Sequence, residues 1–398
     1  MKSVLVYGCE DGNHPTLELI SREIAAGFEQ IGCNVFYCPF TDCDKVQEGY
    51  YKMQDGEIDF SIGLNNFPSI MLNDKGESCY KNLGVPYVSI LLDAPYNPAV
   101  GNMLFDCKNH FVCVLDKSHV SLIDDIYSSK KFMGKMFLPL GGISGGNEDE
   151  LFSRERSYNV VFASSIYGNG DPGRKWHEAL ELKPYCNLLD DIADYLINNP
   201  VSVDEGVRYI LNQRGLYDDI YRKKMLPFYF LLFLYIKAIR RVKSLEFLVK
   251  NDIVVDVFGA GWENVPLVHS KYGKNIRLHG QVPYEAVLDI TSKAKIVYQD
   301  QAEFNNGAHD RVFSSMLSGA VVVSEYSTYL EKEFKNGSDI FLYDWKNGLS
   351  QVQIIDKLLN DESVRLSAAV SAYGKVNNKH RWKNRAQSIM EAMSFHED

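Results

Sequence analysis

Short β-rich runs alternate with helical patterns along most of this chain, and no other feature limits its fold so strongly. The runs at 4–7, 34–39, 58–64, 87–92, 111–115 and 136–138 are mostly apolar and rich in strand-forming residues. Separated by stretches of helical periodicity, they suit a parallel sheet, where each new strand is reached by a crossover. In 16–31, Leu17, Ile20, Ile24, Phe28 and Ile31 share one helical face, as a helix laid on a sheet requires. A second series follows at 158–163, 253–258, 276–279, 295–298, 320–324 and 340–343. Between the two, the glycines of 141–146 and the acids of 148–150 read as a hinge. From Trp176 to Lys250 no strand pattern survives. The expectation is an α/β protein of two doubly wound Rossmann-like domains facing across a cleft: 1–150, and 151–375 with a helical insertion at about 176–250. Residues 376–398 are expected to form a helix that packs back on the first domain.

Composition sets bounds on this reading. At 398 residues the chain exceeds one ordinary core, and 45% hydrophobic with 24% charged residues is a soluble, globular profile. A net charge of −10 argues against nucleic acid as a partner, since that requires a concentrated basic face. None of the eight cysteines forms a zinc-type C-x-x-C pair, and they read as reduced core residues of a cytoplasmic protein. The first eight residues read as a strand rather than a signal peptide. The apolar run at 227–236 is too short for a bilayer, which takes about 20 residues. A buried helix is the expectation. The alternative is peripheral membrane contact, with Lys237, Arg240, Arg241 and Lys243 against anionic lipid.

Ligands of open α/β sheets bind beyond the C-terminal ends of the strands, so the chemistry is sought in the loops that follow them. The fullest signal is Phe304-Asn305-Asn306-Gly307-Ala308-His309-Asp310-Arg311, continuing through Ser314 to Gly319 and a buried strand ending at Glu325. A loop-to-helix junction aims free N–H groups and the positive helix end at one point, and Arg311 adds a planar cation. This is a candidate diphosphate cradle, with a salt bridge as the competing role for Arg311. The helix should start near Asn306 or Gly307, leaving Asp310, Arg311 and Ser314 on the loop side or in solvent.

Three other places carry weaker signals. In Phe258-Gly259-Ala260-Gly261-Trp262, the glycines permit close backbone approach and Trp262 could stack on a base, although a plain turn is about as compatible. Asn264 stands where a dinucleotide fingerprint would have its third glycine. Asp93, at a strand end before Ala94-Pro95, is a candidate base for an acceptor hydroxyl, or else a loop cap. His14, in the loop after the first strand, is a candidate proton shuttle.

The second half resembles the C-terminal domain of GT-B glycosyltransferases, and within them the CgeB-like, spore-maturation type group. The resemblance rests on Phe258-Gly259-Ala260-Gly261-Trp262, Ile276-Arg277-Leu278-His279-Gly280-Gln281-Val282, the stretch from Asn305 to Glu325, and the tail His380-Arg381-Trp382-Lys383-Asn384-Arg385-Ala386. It implies a bacterial-type hexosyltransferase that takes a nucleotide sugar, with a UDP-sugar expected, and passes the sugar to a hydroxyl of a protein, glycan or cell-envelope acceptor. The resemblance also implies that no metal or other cofactor is needed, since helix dipoles and basic groups offset the diphosphate charge. Carried onto this chain, Gly280 through Tyr284, with Gln281 and Val282, would meet the base. Asn305, Asn306, Gly307, His309, Asp310 and Arg311 would hold diphosphate and sugar, and Arg174 and Lys175 would add positive charge.

One departure is clear. Many retaining GT-B enzymes carry glutamates at the positions of Asn306 and Ser314, so the Glu-x7-Glu pair is missing, and Glu325 is a candidate replacement for the ribose contact. Two other readings fit the same fold: a nucleotide-sugar epimerase or phosphorylase, and a catalytically silent nucleotide-sugar binding module.

Overall fold

The computed structural model describes residues 1–9, 15–65, 71, 75, 78–98, 100, 108–127, 131–145, 147–166, 170–179, 183–302, 304–344 and 346–394. Two compact units emerge. One comprises Met1–Ile143 with Lys379–Asp398, and the other Ser144–Asn378.

The first unit is built on a six-stranded parallel sheet: β1 (Ser3–Gly8), β2 (Asn34–Pro39), β3 (Phe60–Leu64), β4 (Tyr87–Leu91), β5 (His110–Val114) and β6 (Gly134–Phe137). Their order across the sheet is β2-β1-β3-β4-β5-β6. Strands β1, β3, β4 and β5 are buried almost throughout, which explains why they read as continuous apolar runs rather than as alternating ones. Helices α1 (Pro15–Gln30), α2 (Cys43–Gln54), α3 (Tyr80–Leu83) and α4 (Lys117–Ile126) lie in the connections. Proline opens α1, where its missing N–H costs nothing, and Asp42 caps α2 by accepting the Lys45 N–H.

The second unit repeats the plan. Its strands are β7 (Tyr158–Ala163), β8 (Val255–Phe258), β9 (Ile276–Gly280), β10 (Ala294–Gln299), β11 (Val321–Glu325) and β12 (Phe341–Tyr343). They lie in the order β12-β11-β10-β7-β8-β9, and every pairing is parallel. Strand order therefore reverses between β7 and β10, where the ends of neighbouring strands open a crevice suited to a ligand.

Between β7 and β8 the chain runs through α5 (Trp176–Ala179), α6 (Lys183–Asn198), α7 (Val203–Gln213), α8 (Asp219–Met225) and α9 (Tyr229–Lys250). Ser202 and Glu205 close a capping box at the start of α7. The apolar run at 227–236 opens α9. Tyr229, Leu232, Phe233, Tyr235 and Ile236 are buried there, and of the flanking cations Arg240 and Arg241 are buried too, whereas Lys237 is half-buried and Lys243 exposed. Among the described residues no helix is long and apolar enough to cross a membrane. The remaining helices are α10 (Tyr284–Ser292), α11 (Asp310–Leu317), α12 (Thr328–Glu333), α13 (Gly348–Asn360), α14 (Glu362–Lys379) and α15 (Trp382–Ser394).

Helix α15 returns to the first unit and packs on α1. The contact is close: a Cβ on Gly27 would sit 2.8 Å from the Trp382 carbonyl carbon. The Gly142 N–H donates to the His380 carbonyl at 2.7 Å, and Arg385 donates to the Leu140 carbonyl.

Candidate functional site

The loops beyond β7, β10 and β11 carry a dense polar cluster in the second unit. After Ile296, Val297 and Tyr298 of strand β10, Gln299, Asp300 and Gln301 follow in succession, each buried to 4% exposure or less. Burying three polar residues in a row is costly unless each is held. Here neighbouring elements hold them. The Gln301 N–H donates to Glu325 Oε2 at 2.9 Å, and Gln301 Nε2 donates to Ser324 Oγ at 3.1 Å. Glu325 in turn pairs with Arg240, and Asp300 Oδ2 accepts from Arg241 Nε and Nη2 at 3.1 and 2.8 Å. The third arm of Arg241, Nη1, donates to the Ser165 carbonyl just beyond β7. One helix thus ties together the ends of β7, β10 and β11.

Arg311 stands at the edge of this cluster. Helix α11 begins at Asp310, later than expected, so Arg311 is its second residue rather than one turn inside. His309 is the N-cap and accepts the Arg311 N–H, and the Gly at position 319 ends the segment at φ +73°. Arg311 is half-buried, and its Nε donates to Gln299 Oε1 at 3.2 Å. No hydrogen bond or ion pair from the described residues reaches its two Nη groups. Burial pulls the guanidinium below its ordinary pKa, against the opposing charges of Asp300 and Asp310. The fork is therefore anchored at its base and, among the described residues, unfilled at its tip.

Asp310 and Ser314 are buried, contrary to the expectation that they face the loop or solvent. The cause is Tyr284, the first residue of α10, whose hydroxyl donates to Asp310 Oδ2 and lies 3.5 Å from Ser314 Oγ. Burial opposes ionisation of Asp310, yet His309, Arg311 and the Tyr284 hydrogen bond outweigh it and hold the carboxyl well below the usual range. An acid is therefore present one turn before Ser314, on the same side of the helix.

The loop of 305–307 is pinned to the start of α12. Thr328 donates its N–H to the Asn305 carbonyl at 3.0 Å and its hydroxyl to Asn306 Oδ1 at 2.5 Å, and Ser327 donates to the Gly307 carbonyl at 2.6 Å. The loops after β10 and β11 are fastened together in this way.

Several expected site residues are occupied elsewhere. Trp262 is fully buried against Phe162, and its indole N–H donates to the Ser164 carbonyl at 2.6 Å, so it packs the core and offers no face to a base. Gly261, at φ +88°, is needed because a Cβ would lie 2.0 Å from the Ile166 carbonyl oxygen, a demand of the backbone itself. Arg174 is held by Asp190 at 2.9 Å and Asp194 at 2.6 Å, both on α6, and Lys175 pairs with Glu178, which directs both cations to the insertion. Glu325 is consumed by Arg240 and Gln301 and is not open to a ribose. Gln281 is exposed, whereas Val282 is half-buried against the cluster around Phe258 and Ile290. In the first unit Asp93 is exposed, two residues beyond β4. His14 lies outside the described residues. Among the described residues no group of three or more His, Cys, Asp or Glu is placed to hold a metal ion.

Gln299, Asp300, Arg240 and Arg241 escaped the motif reading. A signal existed for each pair: polar residues immediately after an apolar strand, and two arginines inside an apolar helix.

Comparison with known proteins agrees with this architecture. Residues 238–391, less than half of the chain, match a family described as glycosyl transferase-like. No curated protein sequence matches the chain. Among solved structures it is similar to sucrose-phosphate synthase from Thermosynechococcus elongatus, with TM-score 0.54, 9% identity and coverage of 99% of this chain and 98% of that one. Anabaena HepE, solved with UDP and glucose, gives TM-score 0.52 and 12% identity, covering 99% of this chain and 100% of that one. A glycosyltransferase from Rickettsia africae gives TM-score 0.51 and 9% identity, over 99% and 98%. The fold is GT-B.

Proposed function

We propose that this chain is a glycosyltransferase that takes a sugar from a nucleoside-diphosphate sugar and passes it to a hydroxyl acceptor. The observation that carries the reading is Arg311: a half-buried guanidinium, fixed through Nε, with its Nη groups unfilled by the described residues, at a helix N-terminus beside the switch point of a parallel sheet. A planar fork with fixed orientation suits a diphosphate, and the helix N–H groups beside it supply further donors. Placing positive charge where the leaving diphosphate develops its negative charge lowers the barrier to breaking the sugar–phosphate bond.

A UDP-sugar is the donor we favour, since HepE was solved with UDP and glucose and also with UDP-glucose. A hexosyl group and an acceptor on a protein, glycan or cell envelope follow from the CgeB-like resemblance. In this reading protein groups rather than a metal offset the diphosphate charge, with Arg311 and the α11 N-terminus as the named contributors. Asp310 keeps an acid one turn before Ser314, but Tyr284 holds its Oδ2 and His309 its Oδ1, so it is no more open to a ribose than Glu325.

The test is calorimetric titration of UDP and UDP-glucose into wild type, Arg311→Lys and Arg311→Ala, together with release of UDP from UDP-glucose. Arg311→Ala should weaken UDP binding by about 2–4 kcal/mol, and Arg311→Lys should recover only part of the loss because a point charge cannot engage two oxygens at once. Wild-type affinity and turnover in Arg311→Ala would sink the assignment. A binding module is the second reading, favoured by Asn306 and Ser314 standing where two acids are common. UDP-sugar binding without turnover over a broad acceptor panel would favour it.

A further inference from the structure

The insertion between β7 and β8 does more than enlarge the second unit. Its longest helix, α9, delivers Arg241 to Asp300 and to the Ser165 carbonyl, both distant in sequence. Arg241 and Asp300 are 6% and 4% exposed, and both of the contacts from Arg241 to Asp300 fall on Oδ2. Oδ1 is buried with no hydrogen-bond partner among the described residues. Arg311 also acts on Asp300 electrostatically, and its anchor, Gln299, is the residue just before Asp300. A buried carboxylate is therefore bonded through one oxygen to Arg241 and lies within the field of Arg311, whose fork is unfilled by the described residues. Lys237 adds a weaker electrostatic influence.

A buried carboxylate does not stay unpaired. Without Arg241, Arg311 is the strongest remaining positive charge acting on Asp300, and a carboxylate in its fork would occupy the donors a diphosphate needs. We propose that Arg241 is a positioning residue that holds Asp300 off Arg311 and so keeps the diphosphate-binding fork open. Arg241 touches no reacting atom in this scheme. It acts by removing an internal competitor, and the apparent affinity for an anion follows the fraction of molecules whose fork is open. The inference rests on the reading of Arg311 as the diphosphate ligand.

The experiment uses the full chain and titrates UDP, and separately inorganic pyrophosphate, into wild type, Arg241→Ala, Asp300→Ala and the double variant, with a thermal melt of each. Arg241→Ala should bind both anions about tenfold more weakly or worse, as expected when the fork is open in about one molecule in ten. The double variant should regain most of that loss, since it has no carboxylate to fill the fork, and Asp300→Ala alone should stay close to wild type. If Arg241→Ala does not fold, Arg241→Gln enters the same comparison. A merely structural Arg241 predicts equal losses in the single and double variants, and that result overturns the proposal, as does unchanged binding in Arg241→Ala. If wild type binds neither UDP nor pyrophosphate, the diphosphate reading itself fails and this inference falls with it.

Discussion

Asp300 shows how a single residue responds to its surroundings. Burial raises the cost of its charge, but Arg241 and Arg311 outweigh that cost and hold its carboxyl at about 2, below the ordinary 3.8. The sign follows from linkage: a depressed carboxyl adds stability above its unfolded value and loses it as pH falls through the folded value. Acidification from about pH 4 toward about pH 2 should therefore cost wild type more stability than Asp300→Asn. Denaturant midpoints across that range check this, and parallel curves would contradict it. Tyr284→Phe removes the hydroxyl that donates to Asp310, and a lost bond to a buried charge costs about 2 kcal/mol, measurable as a lower urea midpoint. Within this polar cluster, Arg311 was legible in the sequence because a loop-to-helix pattern marks it locally. Asp300 and Arg241 were not, because they lie 59 positions apart and neither has meaning without the other.

At the scale of elements, strands were read more faithfully than helix ends. All twelve apolar runs became strands because a parallel strand buried on both faces must be continuously apolar. The start of α11 was placed too early, since the Asn305–Gly307 loop is held by Thr328 and Ser327 from another element. Arg156 shows what elements need from outside themselves. Its Nη1 donates to the carbonyls of Ser292 at 2.7 Å and Ser318 at 3.1 Å, the last residue of α10 and the C-cap of α11, while Nη2 donates to the Leu151 carbonyl at 2.6 Å. A cation at a helix C-terminus satisfies orphan carbonyls and opposes the dipole. Arg156→Ala should therefore cost about 2–3 kcal/mol, and Arg156→Lys should recover less than half of it. Equilibrium urea unfolding checks both.

Over the whole molecule, the chain builds one α/β unit, then a second, and returns to the first for its last helix. Gly27 and Gly141 show why that return is demanding, since any side chain at either position would collide with Trp382. Gly27→Leu should destabilise the first unit by about 3 kcal/mol or more through overpacking, and truncation after residue 378 should do at least as much by uncovering α1. Calorimetry would detect both changes, and an unaltered melting profile in the truncated chain would refute the assignment of α15. The sequence by itself determined the parallel α/β class, the two series of strands and the Arg311 junction, because periodicity and helix-start chemistry act over a few residues. Only the tertiary structure decided where the cations pair. It turned Arg174 toward the insertion, buried Trp262 and Glu325 in internal contacts, and brought Arg241 to Asp300. Charge pairing depends on distance in space, and the crossovers of a parallel sheet separate residues in sequence that the fold sets side by side.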